Sequence, residues 1–331
     1  MLAERAQEVS LETAVRERLA EIESALLRVA QADSALVTEA AQHVIAAGGK
    51  RFRPMLVVLA SQLDPSGSPA RPEDVVRAAL VVELTHVASL YHDDVMDEAR
   101  LRRGSPSANE RWGNTVAILV GDFLFARASE VVAELGPDYV RLQARTFARL
   151  VQGQIAETIG PDGVDPLQHY LSVVADKSAS LIATSALFGG KVAGADPGVQ
   201  RALAAYGEEI GTVFQLSDDI IDITSDETGK MPGIDLREGI PTLPTLLFRR
   251  SADPSSPVDA RLLELLDSDL SGDAELAEAL TLLRSHPCVE EARTEVRRRA
   301  ERARSYLDDL PAGPARDALS ELCDTVVSRS A

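Results

Sequence analysis

The sequence predicts an all-α protein, and three observations carry that reading. Hydrophobic residues make up 45% of the 331 positions and aromatic residues only 4%, a balance that favours helices over a β-sandwich or barrel. Apolar residues such as Leu11, Val15, Leu19, Ile22, Leu26 and Val29 recur every three or four positions, the period of an amphipathic helix. Glycine- and proline-rich stretches then separate further helix-length segments. The length suits one large domain or two ordinary ones, and a single domain over residues 1–331 is expected.

In order, Ser10 to Ala47 reads as an amphipathic helix or helical pair, ended by Gly48-Gly49, where glycine tolerates positive φ. Lys50, Arg51 and Arg53 precede an apolar helix from Met55 to Ser61. DPSGSPARP is a connection. A helix from Glu73 to about Glu98 follows with Val76, Leu80, Leu84 and Val87 on its apolar face. A loop with Gly104, Pro106 and Asn109 leads to Trp112. VAILVGDFLFARA then reads as a buried helix in which Asp122 is a paired structural carboxylate. Tyr139–Thr158 is helical and carries Gln152, Gln154 and Glu157. YLSVVADKSASLIATSALFGG holds Lys177 and Ser178 in an apolar helix, and Tyr206–Ile223 carries Gln215. Beyond Thr242 there is less to read: exposed loops, and an arginine-rich run from Arg293 to Arg304 that reads as a solvated helix face.

The formal net charge of −18 argues against nucleic-acid binding and against a polybasic membrane anchor. Cys288 and Cys323 are too few for a disulfide framework or a cysteine zinc site, so a reducing cytoplasm is expected. No apolar run approaches the roughly 20 residues of a membrane span, and MLAERAQEVS lacks a signal-peptide pattern.

The chemistry concentrates in two stretches. HVASLYHDDVMDEARLRRG carries Asp93, Asp94 and Asp97, a D-D-x-x-D pattern followed by Arg102 and Arg103. On a helix Asp93 and Asp97 lie one turn apart, with Asp94 about 100° around. Three carboxylates so close repel one another unless a cation intervenes. A hard divalent cation suits them, since Mg²⁺ takes one or two carboxylates and completes its shell with water and phosphate oxygens. One such motif among 52 acidic residues would be read as a solvated face. The second, Asp218, Asp219 and Asp222, lies among Phe214, Leu216, Ile220, Ile221 and Ile223, where carboxylates are not expected as surface decoration. No other internal repeat is evident.

These two motifs, with GGKRFRP at Gly48 to Pro54, resemble those of the trans-isoprenyl diphosphate synthases over nearly the whole chain. LYHDDVMDEARLRRG through WGNTVAILVGDFLFARA is most similar to the bacterial long-chain polyprenyl diphosphate synthases. The resemblance implies the isoprenoid synthase fold, an antiparallel helical bundle around a large central cavity. It also implies condensation of isopentenyl diphosphate with an allylic diphosphate, farnesyl or geranylgeranyl, to a long all-trans product, the precursor of a quinone side chain such as that of menaquinone.

By the same resemblance Asp93, Asp94, Asp97, Asp218, Asp219 and Asp222 hold Mg²⁺, three ions with substrate bound. Gly49, Lys50, Arg53, His86 and Arg103 take isopentenyl diphosphate. Arg102, Lys177, Ser178, Gln215 and Lys230 serve the allylic side, Gln154 lines the cavity, and the protein is a homodimer. An unpaired buried Lys177 would be costly, which makes a diphosphate partner attractive. His92 is left between a structural residue and one that supports a ligand residue, and Arg51 is open between ligand and structural residue. Where the family has a second lysine, LREGIPTLP places Ile240, and Arg237 is a candidate replacement. Ala88 and Ser89, one turn before Asp93, are small where short-chain members carry a bulky aromatic, so the product should exceed geranylgeranyl diphosphate; the direction of Tyr91 is open.

The alternatives are a geranylgeranyl diphosphate synthase, a subunit of a heteromeric synthase, and a terpene cyclase. Complete Asp motifs and GGKRFRP argue against the last two.

Overall fold

The computed structural model describes residues 2–63, 70–224 and 232–329, with side chains from Ser10 onward. Its helices are α1 Leu2–Val29, α2 Ala35–Ala46, α3 Phe52–Ala60, α4 Pro72–Met96, α5 Ala108–Trp112, α6 Asn114–Leu135, α7 Pro137–Ile159, α8 Pro166–Val173, α9 Ser180–Val192, α10 Pro197–Thr224, α11 Ile234–Arg237, α12 Leu243–Ser251, α13 Pro257–Leu266, α14 Asp273–Ser285, α15 Pro287–Tyr306 and α16 Pro314–Ser328. A π-helical turn, Val174–Ala179, joins α8 to α9.

Several helices start on a side-chain cap. Ser34 accepts from Val37 N–H at α2, and Asp165 accepts from Gln168 N–H at α8 with Pro166 next to it. Ser256 does the same for α13. Each side chain satisfies an amide that the first turn leaves orphaned, and proline loses nothing at that position.

The stretch expected to be a loop before Trp112 is partly ordered. β1 Leu101–Arg102 pairs antiparallel with β2 Ser105–Pro106. Arg103 and Gly104 between them both have positive φ, 53° and 78°, the tight turn that matches strand twist.

The chain forms two compact units, Met1–Ala148 with Leu181–Gly207 and Leu307–Leu319, and Arg149–Ser180 with Glu208–Tyr306 and Ser320–Ala331. In the first, α4 packs along α6 and also meets α3 and α1, burying Leu56, Leu84, Val87 and Leu124. Each such side chain contributes roughly 1.5–3 kcal/mol. Glycine permits the close approach: a Cβ at Gly121 of α6 would lie 3.2 Å from the Ala88 carbonyl and 2.4 Å from His92 Nε2. Tyr91, fully buried, donates its hydroxyl to the Ala40 carbonyl of α2 and accepts from Val44 N–H.

Helix α6 is less buried than its sequence implied. Leu119 is 60% exposed and Ile118 42%, and Asp122 is exposed, 3.4 Å from His92. In the second unit α12 packs on α15 and α8 around Phe248, Leu262 and Val296. The arginine-rich run is not simply solvated: Arg299 and Arg302 both reach Glu209.

One helical run, Pro166–Val192, is long and apolar enough to cross a membrane, but 61% of its most apolar window is buried within the fold. The expectation that no run approaches that length is thus corrected; the burial makes this one a core helix.

Candidate active site

The first unit gathers the basic residues. Gly48 and Gly49 have φ of 83° and 151°, and Arg51 follows at 46°, a left-handed geometry that costs a non-glycine residue about 1–2 kcal/mol. Lys50 is exposed and Arg53 half-buried on this turn. Burial lowers the Arg53 pKa to about 10, with Glu83 opposing and Arg103 adding to the shift. Its Nε is buried with no hydrogen-bond partner.

Arg103 braces the turn, donating to the carbonyls of Val44 at 3.1 Å and Gly48. A Cβ at Gly49 would lie 3.0 Å from its guanidinium, so only glycine lets the arginine stack there. His86, two turns before Asp93 on α4, is held well below the usual histidine range by burial and by Arg53, Arg103, Arg102 and Arg51. It is a neutral imidazole beside cations, able to donate or accept a hydrogen bond.

The first Asp motif lies where α4 ends. Asp97 caps the helix, donating its N–H to the Asp93 carbonyl, and Glu98 turns left-handed at φ 49°. Asp93 is half-buried and Asp97 exposed, while Asp94 is fully buried. Arg102, expected on the allylic diphosphate, pairs in this structure with Asp94 Oδ1 at 2.6 Å through Nε and 2.5 Å through Nη2. Burial raises the Asp94 pKa and Arg102 offsets this in part. Asp94 Oδ2 remains buried with no partner, a lone pair still available to a cation.

In the second unit Asp218, Asp219 and Asp222 occupy three distinct environments on α10. Asp218 pairs with Arg329 at 2.5 Å. Asp222 accepts from the N–H groups of Ile234 and Asp235, both at 3.2 Å, holding the start of α11. Asp219 accepts from the Tyr170 hydroxyl, from Gln215 Nε2 at 3.1 Å and from Leu243 N–H at 3.1 Å. Burial pushes its pKa up to about 6 against those three donors. Ser178 donates to Gln215 Oε1 at 3.0 Å, so two residues expected on the substrate lead directly to the motif.

Lys177 lies in the π-helical turn Val174–Ala179. Such a turn adds one residue to a helix and re-aims its side chains. Gly153 of α7 lets that turn approach closely, since a Cβ there would stand 2.6 Å from Lys177 N. Lys177, expected to need a partner, forms an ion pair with Glu157. Gln154 also binds Glu157, at 3.1 Å, and its own Oε1 is buried without a partner.

Of the chain-length candidates, Ser89 is partly exposed, with its hydroxyl on the His86 carbonyl at 2.8 Å. Ala88 is fully buried, against α6. Tyr91 points at α2. Arg237 cannot stand in for a lysine at Ile240 while it holds Ser271 O and Asp273 Oδ1, both at 2.6 Å. Lys230 lies outside the described residues.

Sequence reading missed Tyr170, Glu83 and Arg329. Tyr170 is seven residues before Lys177 and Glu83 three before His86, spacings that share a helix face and could have flagged both. Arg329 is 111 positions from Asp218, a pairing with no local signal.

Among the described residues no three His, Cys, Asp or Glu side chains form a ready-made metal cage. The donor set nonetheless fits Mg²⁺, which prefers few carboxylates and keeps sites for water and phosphate; the orphan Asp94 Oδ2 is such a donor.

The sequence pattern of the polyprenyl synthetase family matches residues 34–283. The chain is 47% identical to the nonaprenyl diphosphate synthase of Mycobacterium tuberculosis over 320 residues, 96% of this chain and 93% of that one. In structure it resembles the geranylgeranyl pyrophosphate synthase of Corynebacterium glutamicum, solved with calcium and isoprenyl diphosphate, at a TM-score of 0.85 and 40% identity over 97% and 98% of the two chains. It is equally similar to a decaprenyl diphosphate synthase from Rhodobacter capsulatus, at 0.87 and 33% over 98% and 99%. With its helices, its paired Asp motifs and its basic turn, the chain belongs to the polyprenyl synthetase family and has the all-α isoprenoid synthase fold.

Proposed function

We propose that this protein is a prenyltransferase that condenses isopentenyl diphosphate with an allylic diphosphate, farnesyl or geranylgeranyl, to a long all-trans polyprenyl diphosphate serving as a quinone side-chain precursor. One observation carries the reading: α4 alone bears two different anion sites two turns apart. At His86 a neutral imidazole stands among arginines, a site that takes a diphosphate directly. At Asp93, Asp94 and Asp97 the carboxylates take one only through a cation. A reaction joining two diphosphates needs both, whereas a cyclase needs only the second.

Asp93, Asp94, Asp97, Asp218, Asp219 and Asp222 are the residues that would hold Mg²⁺, which when bound would supply the charge neutralisation that makes the allylic diphosphate a leaving group. Lys177, Lys230 and Arg102 add positive charge where the carbon–oxygen bond breaks; for Lys177 and Arg102 this means exchanging Glu157 and Asp94 for phosphate. Ser178 and Gln215 orient Asp219. Gly49, Lys50, Arg53, His86 and Arg103 place isopentenyl diphosphate so that its double bond meets the allylic carbon. Loss of a proton to the departing diphosphate restores an allylic product, ready for another cycle. The half-exposed Ser89 leaves room for a growing chain.

The 34–283 family match includes segments of both units, which supports one functional domain over the whole chain. Exposed Ile118 and Leu119 on α6 support a homodimer, since apolar surface of this kind is commonly covered by a partner. Two buried free cysteines suit the cytoplasm. Product chromatography after incubation with Mg²⁺, isopentenyl diphosphate and farnesyl or geranylgeranyl diphosphate tests the proposal. Metal-dependent products longer than C20 are expected. A C20 limit would favour a geranylgeranyl diphosphate synthase, and no elongation with any primer would point to a heteromeric subunit.

A further inference from the structure

In the GGKRFRP turn, Arg51 has four of the five N–H donors of its guanidinium committed within the protein. Its Nε and Nη2 fork onto Glu23 at 2.6 and 2.8 Å. Its Nη1 donates to Glu83 at 2.8 Å, and Nη2 also reaches the Ile45 carbonyl at 2.8 Å. The guanidinium is planar with fixed donor directions, so these contacts determine its position fully. Its side chain is only 10% exposed and that of Glu83 3%.

The backbone at Arg51 is left-handed, at φ 46°, where an arginine would not remain without compensation. The side chain provides it, tying α1 through Glu23, the end of α2 through Ile45, and α4 through Glu83. Lys50 precedes it and Arg53 opens α3 just after it, so their directions follow from the geometry at Arg51. Arg103 braces the same turn from its glycine side. Glu83 has a second effect: it is the buried counter-charge nearest Arg53 and Arg103 and partly offsets their mutual repulsion.

We propose that Arg51, clamped by Glu23 and Glu83, is a positioning residue that fixes the left-handed turn presenting Lys50 and Arg53, and so sets affinity for isopentenyl diphosphate without touching it. The assignment rests on the functional reading above. It separates Arg51 from the ligands that flank it in sequence.

The test is steady-state kinetics of wild type, R51Q, R51K and E23Q, varying each diphosphate in turn, with circular dichroism and thermal melting as folding controls. R51Q and R51K should both raise KM for isopentenyl diphosphate by about tenfold or more, since a lysine has no fork. E23Q, which keeps the Glu83 pair, should raise it by about threefold. KM for the allylic diphosphate and kcat should stay within about twofold. An unmoved KM for isopentenyl diphosphate in a folded variant, an equal rise for both diphosphates, or a loss confined to kcat overturns the proposal. Should R51Q fail to fold, E23Q decides by the same criteria. Wild-type protein that elongates no primer overturns the functional reading itself; wild-type elongation with an unmoved KM in the variants overturns only the role of Arg51.

Discussion

Gly153→Ala should damage catalysis far more than stability. The added methyl would stand 2.6 Å from Lys177 N and 3.0 Å from Lys177 Cα. Ordinary contact begins near 3.4 Å, so α7 and the π-helical turn must separate by about 0.8 Å. Backbone atoms on both sides leave no flexible side chain to yield. Overpacking of this kind costs about 1–3 kcal/mol, but alanine regains about 1 kcal/mol of helix propensity at an interior position. The net loss should therefore be at most about 2 kcal/mol, and the protein should fold. Lys177 and Ser178 ride on the displaced turn, and a misplacement near 1 Å can cost about a hundredfold in rate. The assay is kcat and KM for the allylic diphosphate beside a urea titration. Wild-type kinetics in folded G153A would refute the claim that the turn places Lys177.

D93A and D218A should each cut turnover at saturating Mg²⁺ by at least about a hundredfold while keeping the helical circular dichroism; retained turnover in either would remove it from the metal set. S89F should shorten the product by filling partly open space, whereas A88F should destabilise by about 1–3 kcal/mol because Ala88 is already enclosed; chromatography and melting separate the two. Asp219 is neutral below its pKa of about 6, above that of an unfolded carboxyl. Its contribution to stability is therefore fully present below about pH 4 and is lost as pH rises through 6. In the absence of metal and diphosphate this should amount to at most about 3 kcal/mol, and D219N should flatten that part of the stability profile.

Much of the fold and the location of the chemistry could be read locally. The helix from Glu73 to about Glu98 could be read from its apolar spacing because that period is set within a few turns. The Asp motifs stood out because like charges at helical spacing need a cation. Gly48-Gly49 announced a turn because only glycine enters that geometry freely. What the sequence did not show was the protein partner of several charged side chains. Lys177 reads as an orphan in its own apolar segment, yet Glu157 is 20 residues away. Arg102 reads as an anion ligand, and nothing in the sequence signals that the hairpin of β1 and β2 also brings it to Asp94. Arg237 looked spare and is bound to Ser271 and Asp273.

The sequence by itself determined the all-α class, the family and the residue types of the chemistry, since each depends on periodicity, composition or motifs spanning a few turns. Only the tertiary structure decided which charges are already spent. Arg51 on Glu23 and Glu83, Tyr170 on Asp219, and Arg329 on Asp218 are separated by 28, 32, 49 and 111 positions. Pairing at such separation is set by how helices pack, because a buried donor must find whichever acceptor the fold brings near it.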